Sequence, residues 1–121
     1  MDDVHRAQVV LAEHLSAAPL IRSYRLEQAL GLPASRNVWI KDYGWTPSGS
    51  FKCMGALNWM ANNCVKIGDR PVVAHSSGNF ASGLAYAGSR FNKRVTIVMP
   101  ESAPKVKFHL TRSFGAEIQT Y

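Results

Sequence analysis

The segment from Pro47 to Lys52, which reads PSGSFK, is the part of the chain best suited to covalent chemistry. Apolar residues recur every three or four positions after Ser50, and this spacing predicts a helix with Lys52 in its first turn. A cation there faces the positive end of the helix dipole, and contact with Phe51 would desolvate it, so both features favour a neutral amine. A neutral lysine amine can condense with an aldehyde to form a Schiff base. The alternative is an ordinary surface lysine near a helix start.

A second polar turn, Ser76-Ser77-Gly78-Asn79, follows the apolar run from Pro71 to Ala74. That run is short and β-branched, as in a buried parallel strand, and helical spacing resumes from Phe80 to Ser89. A strand, a small polar turn and a helix together form an anion site, because unpaired helix N–H groups point out of the turn. The alternative is an ordinary connection between a strand and a helix.

Three blocks of the sequence match one enzyme family in the same order. They read PSGSFKCMGA, HSSGNFASGLAYA and TIVMPESAPKVKFHLTRSFGAEI. From about Ala18 to its end, the chain resembles the pyridoxal-phosphate enzymes of the tryptophan synthase β-like fold (fold type II), especially serine/threonine dehydratases and threonine-synthase-like proteins. The resemblance implies an α/β fold, a three-layer parallel sheet with flanking helices, that is incomplete here as an N-terminal fragment.

The resemblance also implies a role for each residue of the two turns. Lys52 would carry pyridoxal 5'-phosphate as an internal aldimine and, once freed, would take the α-proton of the substrate. Phe51 would lie against the cofactor and help to exclude water, and Asn79 would hydrogen-bond the ring hydroxyl of the cofactor. The turn that receives the substrate carboxylate would be formed by Ser76, Ser77 and Gly78.

The implied activity is β-elimination, the dehydration and deamination of a hydroxy amino acid such as threonine or serine. A threonine-synthase-like or other β-replacement reaction is the alternative among enzymes, and a catalytically degenerate α/β binding module is the alternative outside them. The chain departs from the family pattern at Tyr43, Met54 and Phe80, where an acidic residue, an arginine and a histidine are common. These departures leave the subfamily open.

The elements that must position the two turns follow from hydrophobic spacing and from Gly, Pro and Ser signals. Strands alternate with helices beyond the segment from Gly44 to Gly49, which implies βαβ units and a parallel sheet. We expect residues 1–47 to be a lead-in that belongs to a larger domain and residues 48–121 to form most of a smaller α/β domain. The other predicted elements are helices at Asp3–Leu15, Ser23–Leu30 and Pro104–Phe114, strands at Arg36–Lys41 and Arg94–Met99, and a strand starting near Ala116.

Composition limits the function classes. The 121 residues are 46% hydrophobic, enough for one core, and 14 Lys and Arg against 8 Asp and Glu give a net charge of +6. The basic residues are scattered, so we expect no nucleic-acid partner. An amino-acid substrate and a homo-oligomer in the full-length protein follow from the resemblance.

Several observations bear on location and completeness. No apolar stretch is long enough for a membrane span, and the acidic start Met1-Asp2-Asp3 is unlike a secretory leader, so we expect a cytoplasmic protein. Cys53 and Cys64 lie too far apart on one predicted helix to bridge, which indicates free thiols. Relatives are longer and have a glycine-rich phosphate loop that is absent from this sequence, so we expect an N-terminal fragment or a truncated product.

Other motifs are incomplete. Gly78 and Gly83 have P-loop spacing but lack the following lysine. Ser102 and Lys105 spell SxxK without the partner motifs of that hydrolase class, and a helix start explains them. No histidine pairs with another histidine or with a cysteine at zinc-ligand spacing, so no metal site is predicted.

Overall fold

The computed structural model describes residues 2–121, in which helices and strands alternate along the chain. In chain order the elements are α1 (Asp2–Ala12), β1 (Leu20–Arg22), α2 (Tyr24–Ala29), β2 (Trp39–Lys41), a 3₁₀ turn (Tyr43–Trp45), α3 (Lys52–Ile67), β3 (Val72–His75), α4 (Asn79–Arg90), β4 (Val95–Met99), α5 (Lys105–Ser113) and β5 (Glu117–Thr120). None of the helices within the described residues combines the length and the apolar composition needed to cross a bilayer.

Strands β3, β4 and β5 form a parallel sheet in that spatial order. Helix α4 connects β3 to β4 and helix α5 connects β4 to β5, which is the βαβ arrangement expected from the sequence. The predicted α/β fold with a parallel sheet is therefore confirmed. Because the strands are parallel, their carboxyl ends meet at one edge of the sheet, and the loops that lead into α4 and α5 begin there.

The core lies between helices α3 and α4 and the central strand β4. Leu57 and Met60 of α3 are fully buried, and alternate residues of β4 are buried as well. A β-carbon on Gly88 of α4 would lie 2.3 Å from the Cγ2 atom of Val95, so the helix can approach this strand closely only without a side chain there. The buried apolar set comprises Ala56, Leu57, Met60, Ala81, Leu84, Ala85, Ala87, Val95, Ile97, Met99, Ala103 and Ala116.

The N-terminal part has its own small sheet. Strands β1 and β2 pair antiparallel, with Ile21 opposite Ile40. The buried carboxylate of Glu27 on α2 accepts hydrogen bonds from Arg22 Nε at 2.9 Å and from the Val38 backbone N–H at 2.8 Å. The Glu27 carboxylate therefore ties α2 to both sides of the hairpin, by a partly buried ion pair on one side and a backbone hydrogen bond on the other.

Several element boundaries differ from the sequence prediction. The helix predicted at Ser23–Leu30 is α2, for which Ser23 is the cap that accepts from the Leu26 N–H, and Gly31 follows it with φ +61°. The predicted strand from Arg36 shrinks to β2, and β1 was missed entirely because three residues after a proline give too short a pattern to recognise. Pro104 is the N-cap of α5 and not its first helical residue.

Candidate active site at the carboxyl edge of the sheet

The loop before α3 is fixed by the hydroxyl group of Thr46. This oxygen accepts a hydrogen bond from the Ser50 backbone N–H at 2.9 Å and lies 2.8 Å from the Tyr43 carbonyl oxygen. Gly49 adopts φ +67°, a left-handed conformation that favours glycine, and its N–H donates to the Thr46 carbonyl at 2.8 Å. The glycine/serine turn is therefore a defined structure that sets where α3 begins.

Lys52 is the first residue of α3, as the sequence predicts. Its backbone N–H donates to the Ser50 side-chain oxygen at 3.2 Å, although Phe51 occupies the N-cap position itself. Within the described residues Phe51 contacts the amine without burying it. Lys52 is exposed, Phe51 is 55% exposed, and the Nζ atom stands 4.9 Å from the centre of the aromatic ring, a contact that attracts a cation.

The second predicted turn joins β3 to α4. The Ser76 N–H extends the ladder by donating to the Val98 carbonyl at 3.0 Å, and the Gly78 N–H donates to the Ser76 hydroxyl at 3.3 Å. Ser77 is exposed at the tip of the turn, and Asn79 is the first residue of α4. The Asn79 amide oxygen accepts from the ammonium group of Lys107 on α5.

The two turns lie close together because α3 and α4 cross at a glycine. A β-carbon on Gly83 would lie 2.9 Å from the Cys53 backbone nitrogen and 3.0 Å from the Lys52 carbonyl carbon. Gly83 follows Asn79 by four residues, about one helical turn. The first turn of α3, with Lys52, therefore lies beside the N-terminal half of α4, with Asn79.

The electrostatic character of this edge is positive. None of the helices α3, α4 and α5 has an acidic residue in its first turn, so within the described residues their positive dipole ends are not neutralised locally. Three lysines lie at the same ends: Lys52 on α3, and Lys105 and Lys107 on α5. The arrangement suits an anionic ligand.

The donor set fits the cofactor that the resemblance implies. An amine for an aldehyde, an amide for a ring oxygen, and serine hydroxyl and backbone N–H groups for an anion are present at one edge. A β-carbon on Gly78 would meet no described atom within 4 Å, so the space over this turn is open to a ligand. Residues 2–121 hold no cluster of three or more His, Cys, Asp or Glu side chains that could bind a metal ion.

Comparison with known proteins decides the family. The family model described as "Pyridoxal-phosphate dependent enzyme" matches residues 11–121. The chain belongs to the pyridoxal-phosphate dependent enzyme family. Within this family it is similar to the catabolic L-threonine dehydratase of Staphylococcus aureus, with 31% identity over 98% of this chain and 33% of that enzyme. It is also 33% identical to the L-threo-3-hydroxyaspartate ammonia-lyase of Saccharomyces cerevisiae, over 98% of this chain and 35% of that enzyme.

The fold comparison agrees with the sequence comparison. The crystal structure of a pyridoxal 5'-phosphate-dependent aspartate racemase superposes with a TM-score of 0.90 and 32% identity, covering 98% of this chain and 36% of the racemase. The tryptophan synthase β-like fold class and the pyridoxal phosphate dependence of the family are thereby confirmed. The chain spans about a third of the length of the curated relatives it matches.

Two of the three residues that depart from the family pattern line the same groove in this structure. Tyr43 and Met54 both line an apolar groove of about 460 Å³, together with Leu11 and Leu15. The third departure, Phe80, lines a separate cavity of about 270 Å³ beside Gly55 and Trp59. The changes at positions 43 and 54 therefore affect a single surface.

Sequence reasoning missed two residues of this edge. Gly83 was considered for its P-loop spacing to Gly78, and it is the packing of α3 on α4 that reveals Gly83 as the residue against Lys52. The sequence did not indicate a role for Lys107 beyond its presence in the third block, because its contact with Asn79 depends on how α5 packs against α4.

Proposed function

We propose that this chain forms the N-terminal part of a pyridoxal-phosphate-dependent lyase that eliminates water and ammonia from a hydroxy amino acid such as threonine or serine. The single observation that supports this most is the crossing at Gly83, which holds the helix of Lys52 against the helix of Asn79. The names of the dehydratase and ammonia-lyase relatives support the reaction type.

In this proposal Lys52 would hold the cofactor covalently and act as the base at the substrate α-carbon. Phe51 would lie against the cofactor and help to exclude water, and the Asn79 amide would donate to the ring oxygen. When bound, pyridoxal phosphate supplies an electron sink for the negative charge that remains on the α-carbon after proton loss. The substrate carboxylate would be received by the turn of Ser76, Ser77 and Gly78.

We also propose the domain division at residue 48. The antiparallel β1/β2 hairpin lies before this point and the parallel sheet lies after it, which supports residues 1–47 as part of a larger domain and residues 48–121 as most of a smaller one. The homo-oligomeric state, the cytoplasmic location and the lack of a nucleic-acid partner remain predictions from the sequence.

A second candidate is amino-acid racemisation, favoured by the similarity to the aspartate racemase. Both reactions begin with removal of the α-proton, which this proposal assigns to Lys52. They differ in products, because elimination releases a 2-oxo acid and ammonia whereas racemisation returns the mirror-image amino acid. Chiral analysis and 2-oxo acid detection on the enzyme that contains this chain would separate them.

Trapping of the cofactor tests the role of Lys52. Pyridoxal phosphate is added to the chain, borohydride reduces any Schiff base, and peptide mass spectrometry locates the label. We expect weak binding, preferential labelling of Lys52 and negligible 2-oxo acid release by the chain alone. Lys52→Ala should lose this label, whereas Lys66→Ala, which changes an exposed lysine at the other end of α3, should keep it.

Labelling spread evenly over the exposed lysines would contradict the proposal. So would a Lys52→Ala variant that is reduced and labelled as fully as the parent. Circular dichroism of both variants controls for folding, which we expect to be unchanged because both side chains are exposed.

A further inference from the structure

Helices α4 and α5 are joined at their N-termini by one side-chain contact. The ammonium group of Lys107, in the first turn of α5, donates a hydrogen bond to the amide oxygen of Asn79, the first residue of α4. Lys107 is half-buried and Asn79 is exposed. Lys105, two residues earlier on α5, is exposed and is a natural comparison.

The chemistry of the pair fixes the orientation of the amide. A lysine ammonium has three donors and no acceptor, so only the Oδ1 atom of Asn79 can face Lys107. The Nδ2 atom, with its two N–H groups, must then point away from α5. An exposed asparagine without such a partner could present either atom to a ligand, because rotation by a half turn exchanges a donor for an acceptor.

Considering only the helix dipoles, Lys107 lies in an unfavourable position. A cation near helix N-termini faces the positive ends of their dipoles, and such an arrangement destabilises a helix slightly. Its hydrogen bond to Asn79 offsets this effect. A nearby cation also polarises the amide, which makes the Nδ2 hydrogens better donors.

We infer that Lys107 is a positioning residue that presents the Nδ2 donor of Asn79 to the ionised ring oxygen of the cofactor. This inference rests on the proposed function, in which Asn79 binds that oxygen. Lys107 does not itself contact the ring oxygen; it acts through the amide.

The test measures binding of pyridoxal phosphate to the chain by fluorescence titration in four single variants and one double variant. Lys107→Met should weaken binding about 5- to 10-fold, because a hydrogen bond to a charged group is lost or misdirected. Lys107→Arg, which keeps a donor-only cation, should retain most of the affinity. Lys105→Met removes a charge from the same edge without changing the contact to Asn79, so it should weaken binding clearly less than Lys107→Met does. In the Asn79→Ala background, Lys107→Met should have no further effect.

A second readout needs no cofactor. In the nuclear magnetic resonance spectrum of the free chain, Lys107→Met should move the chemical shifts of the two Asn79 side-chain N–H signals toward those of a solvent-exposed asparagine with no fixed partner. Lys105→Met should leave these shifts unchanged. This measurement also establishes that the variant is folded.

The outcomes are distinct. Equal affinities of Lys107→Met and Lys105→Met for pyridoxal phosphate would overturn the inference. An equal loss of affinity from Lys107→Met in the parent and in the Asn79→Ala background would also overturn it, because Lys107 would then act on the cofactor directly. An unchanged Asn79 amide signal in Lys107→Met would overturn it as well. If the parent chain is not labelled at Lys52 by borohydride, the proposed function fails, and this inference fails with it.

Discussion

A β-carbon on Gly83 would lie 3.0 Å from the carbonyl carbon of Lys52, closer than side-chain atoms normally approach a backbone. The atoms that it would meet belong to the backbone of α3, which cannot rotate away as a side chain can. The missing side chain at Gly83 therefore sets the distance between the helix that carries Lys52 and the helix that carries Asn79. This crossing links packing in the core to the geometry of the proposed site.

Replacing Gly83 with alanine should destabilise the chain. Overpacking of about 1–3 kcal/mol opposes a gain in helix propensity of about 1 kcal/mol, so we expect a net loss of up to about 2 kcal/mol. Urea unfolding measures this change, and cofactor labelling at Lys52 should fall because α3 is displaced.

Gly55→Ala is the matched control for this change. A β-carbon at this position on α3 would meet no described atom within 4 Å, so the substitution should raise stability by about 0.5–1 kcal/mol. Equal effects of the two substitutions would mean that the crossing at Gly83 is not tight.

The order of the helices and strands could be predicted because each element from α3 onward has a clear periodicity and a Gly, Pro or Ser signal at its end. Local pattern alone placed Lys52 in the first turn of a helix, which is confirmed. It placed Asn79 in the turn just before the next helix, whereas α4 begins one residue earlier, at Asn79 itself. Strand β1 could not be found, since its pairing with β2 is non-local and only three residues long.

Contacts between elements were beyond prediction from local pattern. The pairing of Lys107 with Asn79 and the crossing at Gly83 depend on how neighbouring helices pack, which periodicity does not specify. The exposure of Phe51 could not be predicted for the same reason, because burial of an aromatic ring depends on which other elements cover it.

The loop that precedes Lys52 should depend on one hydroxyl group. Thr46→Val keeps the shape of the side chain but leaves the N–H of the buried residue Ser50 without its acceptor, so we expect a loss of about 1–3 kcal/mol in unfolding free energy. Thermal or urea unfolding checks this. Thr120→Val, an exposed threonine in β5, should change stability by less than about 0.5 kcal/mol. Similar losses in the two variants would argue against the hydrogen bond as the cause.

The stability of the N-terminal part should depend on pH through Glu27. Hydrogen bonds from Arg22 and from the Val38 N–H lower the pKa of this carboxyl below its ordinary value. A carboxyl whose pKa is lower in the folded state stabilises the fold above its unfolded pKa of about 4.3, and this stabilisation is lost as the pH falls through the folded value.

Unfolding of the parent, Glu27→Gln and Glu101→Gln between pH 7 and pH 3 tests this. Glu27→Gln should be less stable than the parent at pH 7, and the difference should shrink as the solution becomes acidic. Glu101→Gln, at an exposed position, should follow the parent throughout. A Glu27→Gln curve parallel to that of the parent would contradict the assignment.

The two cysteines should differ in reactivity, although Cys53 directly follows Lys52. Both thiols are free, but Cys53 is fully buried with its sulfur 3.3 Å from the Ser50 carbonyl oxygen, whereas Cys64 is partly exposed. Because a thiol reagent needs access to the sulfur, Cys64 should react in the folded chain and Cys53 only after local opening. An opening free energy of about 3 kcal/mol would slow Cys53 about 100-fold. Mass spectrometry of timed samples measures each thiol separately, because Cys53→Ala retains only Cys64 and Cys64→Ala retains only Cys53. Rapid modification of the Cys64→Ala chain would contradict the prediction and would identify Cys53 as a reactive thiol beside Lys52.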